Sequence, residues 1–500
     1  MSNVMKKDRG QFGRWLRGGL LSGRPKQTVS GITDIIFFLA FTFCFSWEFI
    51  NTTMFKKLFS DEFKVSMRSW FDIAVIAALL CGVAALLLQD SVRQALFEAL
   101  ILTAGYLHWK VGGGKYSYFV FCVLIVGMTG RSFKALLAIA CSIGTAMMAA
   151  AFVASQLGVI EDLVYTGGRH SFGIVYCTDC AAHILFLLIM YAMLRLEELT
   201  LIEYVVMILC CGIMMMTKCK TDVYCCILLL AGVLVYKFTV KWHQSEAVKI
   251  ISGLMAFSYI ICAVFSFVMT FAIDPTDQKT LDTMDRTLVY RVILNRQALG
   301  ISPFSIFGTA IDEHGFGGRT KNLPSYDEYF FIDSSYIRLY VIGGVALFCL
   351  ILLAMTYAQI RCYAYKNYGF IFLLSLAALA CFMEHHLMEL PYNIFPMIAF
   401  AGKGFLRACP RKKPLPWGFG AAREEEAVGP AITPDPEVKE SEESSAPPAS
   451  DAGRRAHAQD NDFTLETAPA DKSAGFSGYG FRAAPSLIEE TDEKGQSPER

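Results

Sequence analysis

Apolar residues run through this chain in stretches near bilayer length, parted by short polar turns, from Ile32 to Phe405. Hydropathy windows place about twelve spans, near 32–50, 70–88, 94–109, 117–130, 133–155, 179–196, 199–217, 222–240, 250–272, 335–357, 368–385 and 390–405. The expected fold is an all-α polytopic integral membrane protein of about 12 transmembrane helices. The rhythm breaks once, between Ala272 and Asp333, where some sixty polar, arginine-bearing residues separate spans nine and ten. That stretch predicts a large extracytoplasmic loop over 273–333 and is where chemistry is to be sought.

Three regions follow: a basic cytoplasmic N-terminus over 1–30, a polytopic membrane domain over 31–405, and a cytoplasmic tail over 406–500. Beyond Pro414 the chain turns to Pro, Ala, Glu, Ser and Asp with almost no branched aliphatics, which predicts disorder. The first apolar run begins some thirty residues in, and no small-residue cleavage site follows it, so it reads as a retained anchor.

Composition agrees: of 500 residues 54% are hydrophobic and 13% aromatic. The formal net charge of zero is a cancellation between the basic N-terminus (Lys6, Lys7, Arg9, Arg14, Arg17, Arg24, Lys26) and an acidic tail, and gives nucleic-acid binding no support. Basic residues before the first span, after the last (Lys403, Arg407, Arg411, Lys412, Lys413), and at Arg131/Lys134, Lys237/Lys241/Lys249 and Arg361/Lys366 put those sides, and both termini, in the cytoplasm. Lys56, Lys57, Lys64 and Arg68 run against that rule.

Most of the sixteen cysteines lie inside apolar runs, where a thiol acts as a small hydrophobe. Cys177-Thr-Asp-Cys180 is a lone C-x-x-C without a second pair. Glu384-His385-His386-Leu-Met-Glu389 holds metal-capable groups but fits neither H-E-x-x-H nor its inverse, so polar groups at a helix end account for it and no metal is expected.

Two polar stretches carry candidate chemistry. The first is Gly167-Gly-Arg169-His170-Ser-Phe-Gly173-Ile-Val-Tyr176-Cys-Thr-Asp179-Cys-Ala-Ala-His183, which runs into span six. A helix beginning near Thr178 puts Asp179 and His183 four apart on one face. Either Thr178 or Asp179 caps that helix and His183 bonds a neighbouring span, or Arg169 holds an anion while His170 or His183 moves a proton. The second stretch is the large loop. Leu281, Met284, Leu288 and Val292 predict an amphipathic helix over 278–299 lying on or dipping into the membrane, ended by Gly300. Arg286, Arg291 and Arg296 on it are cations for an anionic substrate or headgroup-facing charges; Gly308 supplies a turn or offers an amide to phosphate; Asp333 caps span ten or acts in catalysis.

The pattern R-H-S-F-G-x-x-Y-x-T-D-x-A-A-H from Arg169, with D-R-x-x-x-Y from Asp285 and D-E-Y-F-F-I-D-S-S-Y-I from Asp327, resembles the Wzy-type polysaccharide polymerases of Gram-positive bacteria. These belong to the wider superfamily of O-antigen polymerases and O-antigen ligases. The likeness covers roughly 30–405 and is strongest at 167–195 and 284–345; Cys177 and Thr217-Lys-Cys-Lys220-Thr221 depart from it. It implies a membrane glycosyltransferase that takes a glycan on undecaprenyl diphosphate at the outer face and adds it to another lipid-linked repeat unit. On that resemblance His170, His183, Asp179 and Asp333 are the catalytic candidates, and Arg169, Arg286, Arg291, Gly308 and Tyr336 bind substrate. Lipid-linked oligosaccharide donor and acceptor, membrane lipids, a flippase and a chain-length regulator are the implied partners; no cofactor and no metal is called for, in keeping with the lack of a Rossmann or P-loop fingerprint. Ligation of a finished glycan to another acceptor is the sibling reaction. A lipid-linked glycan transporter is the reading from a different class, though no repeat relates the two halves.

Overall fold

The computed structural model describes residues 25–89, 91–239, 245–274, 286–315 and 329–406, with side chains described from residue 31 and, after the 275–285 interval, from residue 288. The expected tail over 414–500, most of the basic N-terminus and the middle of the 273–333 loop lie outside the described residues.

Helices α1 (Pro25–Asn51), α2 (Asp61–Leu88), α3 (Val92–Lys110), α4 (Tyr116–Gly127) and α5 (Phe133–Gln156) precede a two-stranded hairpin, β1 (Val164–Tyr165) and β2 (Arg169–His170). After it come α6 (Cys177–Arg195), α7 (Leu201–Thr217), α8 (Lys220–Phe238), α9 (Glu246–Met255), α10 (Ser258–Ala272), α11 (Arg286–Ile301), α12 (Ser335–Ala364) and α13 (Tyr368–Met383). Serine side chains start several of them: Ser60, Ser91, Ser132 and Ser245 each accept from the backbone N–H three residues on. Thr200 and Glu203 form a reciprocal capping box on α7.

Among the described residues six helices are long and apolar enough to cross a membrane: α1 from Gly31, α2, α5, α6, α8 and α12. The bent pair α9 and α10, meeting at 52°, makes up to seven if it counts as one span. The expectation of about twelve is therefore corrected. The window at 94–109 is the helix α3, but Arg93, Glu98, His108 and Lys110 make it too polar. Helices α4, α7 and α13 are apolar but have 12, 17 and 16 residues; twelve residues rise only ~18 Å. The window at 390–405 is no long helix: Phe395–Ala399 is a 3-10 turn whose side chains are buried in the protein. A hydropathy window counts apolar residues without knowing whether lipid or protein covers them. The long apolar helices that remain are consistent with a multi-pass membrane protein.

Burial separates the centre from the rim. The apolar window of α6 is 72% buried and that of α12 61%, against 28–33% for α1, α2, α5 and α8. Helix α6 packs against α5, α7, α8 and α13. Rim helices leave Ile73, Ile76, Leu80, Ile202, Val205 and Leu209 exposed, the face a hydrocarbon solvent would cover.

Helix α11 differs from the amphipathic surface helix expected. Its described residues pack on α10 and the start of α12, and Val289, Val292, Leu294 and Ala298 are buried. It also runs through Gly300 to Ile301 instead of stopping before the glycine.

Candidate functional site

The expected site residues fall into three groups. The first is the hairpin. Val164 pairs with His170 and Tyr165 with Arg169, and Gly167 and Gly168, at φ of 80° and 70°, make the left-handed turn between them. Asp162 ties the hairpin's exit: its carboxylate accepts from the Ser171 and Phe172 amides at 3.2 and 2.8 Å and meets His170 Nδ1 at 2.7 Å. The His170 side chain is 37% exposed. Arg169 does not face outward as a free anion clamp. Its Nε donates to the Thr217 carbonyl at 3.1 Å and its Nη2 approaches Cys219 Sγ at 3.4 Å, satisfying the end of α7. Lys218, in the left-handed cap of α7, returns the contact by donating to the Gly167 carbonyl at 2.5 Å. The Thr217–Cys219 turn is thus the dock of the hairpin.

The second group surrounds the first turn of α6. No side chain caps this helix: the N-cap is Tyr176, so the capping alternative for Thr178 or Asp179 is corrected. Asp179 and His183 do share a face, yet they meet Tyr392 and not each other. Asp179 is hydrogen-bonded to the Tyr392 hydroxyl, while the His183 ring stacks between Tyr392 at 4.0 Å and Phe49 at 4.3 Å. His183 Nε2 is engaged by the Thr52 hydroxyl at 2.8 Å, and the residue is fully buried. Such a ring is a packing and positioning element, poorly placed to exchange protons with a substrate.

The third group is an ion-pair network that joins segments far apart in sequence. Arg291 reaches Asp333 at 2.9 Å and Glu384 at 3.3 Å. Arg338 pairs with Glu313 at 2.7 Å and Glu389 at 2.8 Å and lies over the Phe331 ring, and Lys115 also meets Glu313. Glu389 continues to His386 Nδ1 at 3.0 Å and His385 Nε2 at 3.5 Å. Burial raises the Asp333 carboxyl to about 6, with Arg291 limiting the rise. Burial also disfavours the Arg291 charge, but Glu384 and Asp333 outweigh it and hold the guanidinium protonated. For Glu313 burial acts upward, and Arg338 and Lys115 overcome it and hold the carboxyl below its ordinary range.

Several expected roles are redirected here. The Arg291 side chain is only 14% exposed and is paired with two carboxylates, not headgroup-facing. Asp333 is not the cap of α12: Ser334 holds that position, and Asp333 is spent on Arg291. Tyr336 is fully buried with its hydroxyl donating to the Ala378 carbonyl at 2.8 Å, which removes it from substrate binding. Arg296 donates to the Thr270, Phe271 and Ile273 carbonyls and caps α10. Gly308, at φ 88°, lies against the wide π-turn of α12 at Leu339–Gly343; a Cβ there would sit 1.8 Å from the Ile342 carbonyl oxygen. The Ser305 and Ile306 carbonyls accept from Val345 and Ala346, amides that the broken helix leaves open. Gly308 is therefore explained by backbone packing and not by phosphate. The Arg286 backbone opens α11, and its side chain lies outside the described residues.

Arg338, Lys115, Glu313 and Tyr392 were not singled out from sequence. An arginine three residues into a 30-residue apolar helix is itself a signal, because such a charge needs partners within the protein. Elsewhere, a cleft of about 340 Å³ lies between α2, α3 and α4, walled by Ile76, Leu79, Trp109 and Phe119 with Arg68 and Asp72 at one side. Comparison with protein-family models, curated proteins and solved structures finds no match for this chain.

Proposed function

We propose that this chain is a membrane glycosyltransferase that polymerises lipid-linked oligosaccharide repeat units at the outer face of the cytoplasmic membrane. The observation that carries the reading is the His170–Asp162 pair: an accessible imidazole, oriented by a carboxylate through Nδ1, on a hairpin docked beside the membrane helices. Asp162 fixes the tautomer, so Nε2 accepts the proton of the attacking sugar hydroxyl as the new C1–O bond forms and the C1–O bond to the diphosphate breaks. Arg286 meets the charge that builds on the leaving diphosphate, a task suited to a guanidinium. Arg169 positions the hairpin, and the Arg291–Asp333–Glu384 network fixes α11, the helix that Arg286 opens.

The apolar cleft at Arg68 suits one lipid chain of such a substrate, with the cation near its anionic head. In this orientation the hairpin and the 273–333 segment face outward and both termini are cytoplasmic. An impermeant maleimide in intact cells should label a single cysteine placed at Lys321 and spare one placed at Ser445; the reverse pattern overturns the orientation.

Buried acids inside spans, Asp179 in α6 and Asp222 in α8, support a second reading as a transporter of the same lipid-linked glycan. Purified protein in proteoliposomes with lipid-linked repeat unit and no other enzyme separates the readings. Growth of the lipid-linked oligomer is the expected result. Translocation without growth selects transport, and transfer of glycan only to an added foreign acceptor selects ligation.

A further inference from the structure

The end of α13 and the start of α6 bring together three donors whose arrangement the glycosyltransferase reading does not use. One ligand atom each from Asp179, His385 and His386 lies within 4.8 Å of the other two. Asp179 is 8% exposed and His386 fully buried, while the His385 side chain keeps 12% exposure and gives the cluster a way out. The two histidines are adjacent in sequence, and their rings meet at a centroid distance of 4.1 Å with a tilt of 43°.

Glu389 sorts the four ring nitrogens. Its Oε2 faces His386 Nδ1 at 3.0 Å and His385 Nε2 at 3.5 Å, so both imidazoles turn one N–H toward a single carboxylate. The nitrogens on the far edges, His385 Nδ1 and His386 Nε2, are buried and have no hydrogen-bond partner among the described residues. Leaving two such lone pairs unmet is costly in a buried site. A carboxylate that accepts the distal N–H of a histidine is the usual outer partner of a metal-bound imidazole, where it fixes the ring and raises its basicity. Arg338 in turn holds the other Glu389 oxygen at 2.8 Å.

We propose that Asp179, His385 Nδ1 and His386 Nε2 bind one divalent transition-metal ion of the zinc class, with Glu389 orienting both histidines from behind. Two imidazoles and one carboxylate form a borderline donor set that suits zinc or cobalt and is poor for calcium or magnesium. Three protein ligands leave a coordination position for water or a substrate oxygen. This departs from the sequence-based expectation of no metal. It does not depend on the glycosyltransferase reading.

The test uses the full chain purified in detergent, stripped with a chelator and dialysed against Zn2+, with bound metal counted by mass spectrometry. One zinc per chain is expected, lost in Asp179→Asn and His386→Ala and retained in His386→Cys, which restores a ligand. Glu389→Gln should weaken binding roughly ten- to a hundredfold without abolishing it. Size-exclusion profiles identify any variant that fails to fold, and His386→Cys keeps the test decisive if the alanine variant does so. Because cysteines are abundant, Co2+ serves as the second probe. Ligand-field bands without a sulfur-to-cobalt charge-transfer band are expected. Zinc uptake unchanged in Asp179→Asn and His386→Ala, no uptake by the parent, or a thiolate signature with Co2+ each overturns the site. None of these readouts requires polymer formation, so a failure of the catalytic reading is seen separately.

Discussion

Asp162–His170 and Glu389–His386 are the same chemical pair, a carboxylate facing Nδ1 at 2.7 and 3.0 Å, set in opposite surroundings. The first sits on a two-stranded hairpin with its imidazole 37% exposed, and Asp162 also accepts from the neighbouring Ser171 and Phe172 amides. In the second the histidine is fully buried, and the carboxylate, 25% exposed, is shared with Arg338. The pair itself does not define the role. Accessibility makes the hairpin histidine able to trade protons with a substrate; burial and shared charge make the other a fixed part of the scaffold or a ligand.

The largest effect is expected where the buried side of the comparison loses its cation. Arg338→Met leaves Glu313 and Glu389 without their shared partner in a buried site, a change that costs about 3–5 kcal/mol. Thermal unfolding in detergent should show it as a marked fall in midpoint or as loss of monodisperse protein. Asp162→Asn, at the exposed pair, should shift the midpoint far less, since such pairs contribute about 0–1 kcal/mol. Equal shifts in the two variants would erase the distinction drawn between the two settings.

Next is the catalytic side. His170→Ala should lower turnover on lipid-linked repeat unit by on the order of a hundredfold, as loss of a general base does, with the unfolding midpoint close to the parent's. Turnover within a few-fold of the parent at pH 7 removes His170 as the base. His183→Ala should instead act through stability, because that ring fills the space between Phe49 and Tyr392.

Much of this architecture was legible in the sequence, though unevenly. Hydropathy windows such as 133–155 and 179–196 fall on helices α5 and α6, whereas the caps at Ser60 and Thr200 were not read from the sequence. What a hydropathy window cannot separate is an apolar run facing lipid from one packed inside: Phe395–Ala399 reads as part of a span and folds as a buried 3-10 turn. The ion pairs were harder. Lys115 stands 198 residues from Glu313, which stands 25 from Arg338, itself 51 from Glu389, and no spacing rule joins them; only the oddity of an arginine within an apolar run could have marked Arg338. Adjacency misled as well. Arg169 stands beside His170 in sequence but turns to the Thr217 carbonyl, because a hairpin sends neighbouring side chains to opposite faces.

A pH profile sharpens the buried side further. Asp333 keeps its proton to about pH 6 in the folded chain, whereas the unfolded chain releases it near pH 4. Between those values the folded state binds more protons, so stability falls as pH rises through that window. Asp333→Asn removes the titration while leaving Arg291 its Glu384 partner, and should flatten the dependence by on the order of 2–3 kcal/mol. Unfolding midpoints measured from pH 4 to pH 7 decide it; parallel profiles for parent and variant would show that Asp333 is ionised throughout.

The smallest expected effect tests whether the hairpin is docked or merely adjacent. Arg169 Nε donates to the Thr217 carbonyl and Lys218 Nζ to the Gly167 carbonyl, so the two residues cross-tie the same pair of segments in opposite directions. Lysine at 169 keeps the charge but cannot reproduce the fork that reaches both Thr217 and Cys219. Arg169→Lys and Lys218→Ala should therefore behave alike, each losing about 1 kcal/mol. Each should also increase protease nicking between Glu161 and Gly173 and lower turnover only a few-fold, through misplacement of His170. A clamp on the donor diphosphate predicts a different pattern: Arg169→Lys would weaken donor binding strongly while Lys218→Ala left it unchanged. Measuring KM for the lipid-linked donor in both variants, with proteolysis as the second readout, separates a tether from a clamp.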